Sequence, residues 1–138
     1  MGIVLVALLL GSWTSSVSDV LEISAPCQYQ AHMRPVLAAV KREIRAAPSS
    51  TLAQVRRRSE HVLLRTTKVD VAYGSELQSE EIRSLLFAAV TDVEQAVDLW
   101  HRRRDPETSN AWLDEALSSL RQARQLVRQV ACADHTFF

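Results

Sequence analysis

Between Ile82 and Trp100 the apolar residues Ile82, Leu85, Leu86, Ala89, Val93, Ala96, Val97 and Trp100 recur at spacings of three and four. Only an α-helix gathers such positions onto one side. The pattern returns in Leu113, Ala116, Leu117, Leu120, Ala123, Val127, Val130 and Ala131. Two long helices with one apolar stripe each must bury those stripes against further helices, so a helical bundle is the expected solution. Ser79 before Glu80 and Glu81 predicts the first of these helices to start there, the hydroxyl capping a free amide and the carboxylates meeting the positive dipole end. His101, Arg102, Arg103 and Arg104 suit its C-terminus. Asp105 is the expected N-cap of the next helix, with Pro106 at its first position and Ser109 as an alternative cap.

Two earlier helices are written less regularly. Val36, Leu37, Val40 and Ile44 predict one that opens at Met33 to Pro35, where proline is tolerated in the first turn, and closes at Ala46, Ala47 and Pro48. Ser49, Ser50 and Thr51 offer caps for another, whose stripe is Leu52, Val55, Val62 and Leu63, with Ser59 interrupting it. From Thr66 to Ser79 the pattern breaks, and Val69, Val71 and Tyr73 alternate with polar or small residues before Gly74. That segment is read as the crossover, a loop or one short extended piece. Only three glycines and four prolines occur in 138 residues, a scarcity that favours helix over turn-rich folds. The expectation is all-α, an antiparallel up-down four-helix bundle forming one domain over residues 19–138. Asp134 to Phe138 show no pattern.

The run Ile3 to Leu10 followed by Gly11, Ser12, Thr14, Ser15, Ser16 and Ser18 has the layout of a secretory signal peptide over residues 1–18, although no Lys or Arg precedes it. A buried N-terminal strand or helix is the alternative. The run is too short to span a bilayer, so no stable membrane span is expected. Export to the periplasm or outside the cell would permit a disulfide between the two cysteines, Cys27 and Cys132. In an up-down bundle the start of the first helix and the end of the fourth share one end, so these cysteines could meet; two unrelated buried thiols are the other reading.

Sixteen basic and sixteen acidic side chains cancel, but Gln30 to Asp70 holds nine basic against three acidic and Val71 to Phe138 seven against eleven. Such a dipolar chain is not of the nucleic-acid-binding kind. Arg56, Arg57 and Arg58 are consecutive and fan around the helix, forming either a solvated face or a face for an anion or an acidic partner. Paired acids Glu80/Glu81 and Asp114/Glu115 have helix-start or solvent-face explanations, and no Gly-x-Ser-x-Gly or glycine-rich phosphate loop is present, so an enzyme is not expected. His32, His61, His101 and His135 are scattered, unlike the ligands of a zinc site, and the single Asp98 to His101 spacing is far from a di-iron set. His32 and Met33 suit copper by softness, but two adjacent ligands are too few.

Met33 to Lys68 and the helix pair Ser79 to Cys132 resemble, in order and length, the soluble periplasmic b-type cytochromes of four-helix type. In that family a methionine near the start of the first helix and a histidine near the end of the fourth ligate haem. The resemblance places Met33 at the first ligand. At the second, Arg124, Gln125, Leu126, Val127, Arg128, Gln129 and Val130 hold no histidine, and His135 lies beyond the expected helix end. The leading expectation is therefore an exported non-enzymatic bundle that binds a partner protein or an anionic ligand and needs no cofactor. The alternative implied by the resemblance is a haem b electron carrier using Met33 with His135 or His32. A homodimer is compatible with either.

Overall fold

The computed structural model describes residues 25–74 and 76–132. The apolar leader and Asp134 to Phe138, with His135, lie outside the described residues. Four helices follow one another: α1 Ala25–Ala46, α2 Leu52–Tyr73, α3 Glu76–Arg102 and α4 Pro106–Gln129, with a 3₁₀ turn, Ala47–Ser49, after α1. Among the described residues there is no strand, so the protein is all-α.

Two expected caps are present. Thr51 Oγ1 accepts from the Gln54 amide at 3.2 Å while Gln54 Oε1 accepts from the Thr51 amide at 3.0 Å, a reciprocal capping box that satisfies two orphan donors of α2. Asp105 Oδ1 accepts from the Thr108 amide at 3.1 Å, and Pro106 takes the first position of α4. The α3–α4 turn needs one residue in the left-handed region, and Arg104 supplies it at φ 48°.

Three expectations need correction. α1 starts at Ala25, about two turns before Met33, so Pro35 lies inside a helix rather than at its start. Pro35 and Ala31 are both on the exposed side, where the carbonyl left without its amide donor can meet water, which lowers the usual cost of an interior proline. The predicted crossover is helical: α2 runs on to Tyr73 and α3 begins at Glu76. The inward positions of α2 are Val55, Ser59, Val62 and Thr66, with Val69 and Tyr73 packed against the core, a helical spacing that two small polar residues conceal. Thr66 Oγ1 satisfies itself by donating to the Val62 carbonyl at 2.9 Å, and Val71, read as part of an extended piece, is 84% exposed on the outer side. Ser79 is no cap; it is buried within α3. It packs against Gly74, where an added Cβ would come within 2.9 Å of the Ser79 Cβ and 2.7 Å of the Asp70 carbonyl oxygen, so that turn requires glycine.

The core joins Met33, Val36 and Val40 of α1, Val55 and Val62 of α2, Ile82, Leu86, Val90 and Val93 of α3, and Leu120 and Val127 of α4. α3 and α4 pack most extensively; buried Ala89, Ala96, Ala116 and Ala123 let their backbones approach closely. Neighbour contacts also join α1 with α2, α2 with α3 and α4 with α1. At the start of α1, Gln30 Nε2 donates to the carbonyls of Val127 and Val130, each at 2.9 Å, adding a second donor to the Val127 oxygen that already accepts from the Val130 amide at the end of α4. Beside it the sulfurs of Cys27 and Cys132 stand at disulfide distance, with Cα atoms 4.8 Å apart. No described helix is long and apolar enough to cross a membrane.

Candidate functional site

α1 and α2 diverge enough to leave a cleft of about 370 Å³ between them. Arg42 reaches it from α1; Arg57, Arg58, His61 and Arg65 reach it from α2, and Ala39 and Val62 form its apolar walls. The α2 residues 57, 61 and 65 recur every fourth position, so one side of the helix presents all three. Glu43 lies at the bottom, only 6% exposed. Its Oε1 pairs with Arg58 Nε at 2.6 Å, whereas its buried Oε2 has no hydrogen-bond partner among the described residues. Burial pushes the Glu43 carboxyl above its ordinary value, and Arg58 first, then Arg42, pull it back.

Arg58 is fixed on its other side by donating from Nη2 to Ser50 Oγ at 2.6 Å. Ser50 Oγ in turn donates to the Ala46 carbonyl at 2.7 Å. The Ser50 carbonyl accepts from His101 Nε2 at 2.8 Å. The end of α3 thereby clasps the α1–α2 connection and holds the Glu43–Arg58 pair in register. Guanidinium forks in this arrangement can grip a phosphate, sulfate or carboxylate bidentately.

The arginine triplet is thus divided. Arg57 faces the cleft, Arg58 is committed to Glu43 and Ser50, and Arg56 is exposed but does not line the cleft. Arg42, His61 and Arg65 escaped the sequence reading, because it looked for consecutive cations and these converge across two helices. A search for cations repeating every fourth residue would have found the α2 row.

The other sequence-derived residues fall elsewhere. Met33 is 0% exposed in the core, packed as a hydrophobe. His32, its neighbour, lies at the surface with its ring stacked on Tyr73 at 5.0 Å and 3°, so the two adjacent residues face different surroundings. Replacing Met33 by Leu, close to it in volume, is expected to cost less than about 1.5 kcal/mol in a denaturant titration; unfolding would show a more specific demand at this site. Among the described residues no cluster of three or more His, Cys, Asp or Glu could hold a metal ion.

No protein family, curated protein or solved structure matches this chain.

Proposed function

We propose that this chain is an exported, non-enzymatic antiparallel up-down four-helix bundle that binds an anionic ligand in the α1–α2 cleft. The observation that carries the reading is the convergence of Arg42, Arg57 and Arg65 around the pinned Glu43–Arg58 pair. The up-down arrangement is supported by the ring of neighbour contacts and by the meeting of the two ends of the bundle at Gln30 and Cys27. Export is supported by the apolar N-terminal run and by the paired cysteines.

The ligand class follows from the lining. Four guanidiniums against one buried, ion-paired carboxylate leave the cleft net positive, which favours a small anion of high charge. In calorimetry with inorganic phosphate, glycerol phosphate and citrate, the last, which carries the most charge, is expected to bind most tightly. Arg42→Glu with Arg65→Glu should weaken its binding by roughly tenfold or more. Binding of none of the three, or binding untouched by the double substitution, would remove the cleft from the reading.

A further inference from the structure

We propose that a second surface, the groove between α1 and α4, docks an acidic amphipathic helix of a partner protein. Arg34, Lys41 and Arg45 stand along its α1 wall and Arg121, Arg124 and Arg128 along its α4 wall. Two hollows make up the groove and share Lys41 and Arg124; no acidic side chain lines either. Among the described residues none of the six cations has an ion-pair partner.

Arrangement as well as number marks this surface. The α4 cations are spaced by three and four residues and the α1 cations by seven and four, intervals that return each row to one helix side. Lys41/Arg45 and Arg124/Arg128 are like charges four apart, a spacing that destabilises a helix by itself. Arg45 in the last turn of α1 and Arg128 in the last turn of α4 complement their helix dipoles, but the other four have no such local reason. Their mutual repulsion is relieved by an anionic occupant.

The floor decides which occupant. Leu37 and Val127, only 5% and 4% exposed, close the floor of one hollow and half-buried Leu117 that of the other, while Ala38 and the aliphatic stems of the cations form the open apolar surface, so a ligand that sets apolar groups between two flanking rows of acids fits the groove. Positions 34 to 45 span ~16 Å, about three helical turns. A helix with leucines at intervals of three and four and glutamates on both shoulders meets both demands, and the hollow between two helices is the shape that receives a third. A sulfated polysaccharide has no apolar stripe for this floor, and no aromatic ring lines the groove for a sugar to stack on. A bilayer surface cannot enter a concavity one helix wide.

This groove shares no lining residue with the α1–α2 cleft, so the two proposals fail separately. The test uses the full exported chain and a fluorescein-labelled synthetic helix of about four turns carrying that leucine and glutamate pattern, read by anisotropy. Saturable binding that weakens as salt rises is expected. Arg124→Glu with Arg128→Glu, and separately Arg34→Glu with Arg45→Glu, should each weaken it roughly tenfold or more, with helical circular dichroism unchanged. Arg57→Glu with Arg65→Glu should leave it as it was. A scrambled peptide of the same composition binding equally well would overturn the proposal, as would unchanged affinity in both groove variants. Tighter binding of a heparin fragment or of anionic phosphatidylserine vesicles, lost in the same variants, would overturn it in favour of those ligands.

Discussion

Removing the Cys27–Cys132 pair, by Cys27→Ala with Cys132→Ala or by reductant, is expected to cost about 4–5 kcal/mol of unfolding free energy. The cysteines are 105 positions apart, and the chain-entropy model gives about 4.7 kcal/mol for a loop of that length. Domains of this size are typically stable by only about 5–15 kcal/mol, so the loss should be visible as a large fall in the urea midpoint. The start of α1 would not be wholly freed, because Gln30 still bridges to the last turn of α4. Gln30→Leu should therefore cost more in the cysteine-free protein than in the oxidised one, a coupling that a double-mutant cycle measures. An unfolding curve indifferent to reductant, together with two alkylatable thiols, would show that no covalent brace is formed.

Asp70→Asn is expected to raise stability at pH 7 by about 2 kcal/mol and to flatten the pH dependence between about pH 4 and 6. The Asp70 side chain is 6% exposed, and among the described residues neither its carboxylate oxygens nor the nearby Tyr29 hydroxyl has a hydrogen-bond partner. Its only ion pair among the described residues is to Arg83 Nη1 at a loose 3.6 Å. Burial pushes Asp70 up to about 6 from 3.8, with Arg83 pulling the other way. Tyr29 is raised too, first by burial and then by the Asp70 charge.

Because the folded value lies above the unfolded one, the folded state holds a proton that the unfolded chain has already released. The stabilisation is full below about pH 4, is lost as pH rises towards 6, and stays lost at neutrality. A rise of about two units corresponds to about 3 kcal/mol, and parting the half-exposed Arg83 from its partner returns at most about 1 kcal/mol of that. Asparagine copies the neutral acid in shape and donors, so urea titrations at pH 4 and pH 7 should differ less for the variant than for the parent. A variant less stable than the parent at pH 7 would mean that the charge itself is held favourably by Arg83.

The two predictions concern opposite grades of legibility. The cysteine pairing follows from position along the chain: one cysteine precedes the first apolar stripe, the other closes the last, and four consecutive helices bring those points together. The Asp70 environment has no sequence signature. An aspartate inside a segment that reads as loop becomes a buried carboxylate only when α2 continues through it and α3 packs over it. The same failure hid the length of α2. Ser59 and Thr66 occupy inward positions, so hydrophobicity falls silent where burial does not.

The sequence by itself determined the helical class, the stripes of α3 and α4 and the reach between the two cysteines, and it narrowed the caps to Ser49, Ser50 or Thr51 for α2 and to Asp105 or Ser109 for α4. These depend on neighbours within one or two turns, or on the order of elements along the chain. Tertiary structure decided where α1 begins, because Pro35 is acceptable inside a helix when its side of the turn faces water. It also decided which cations act together. Arg57 and Arg58 are adjacent in sequence yet one opens to the cleft and the other is spent on Glu43, while Arg42 and Arg65 meet from different helices and Arg34 and Arg128 come together from opposite ends of the chain. Charge convergence across helices is a property of packing, and no local pattern encodes it.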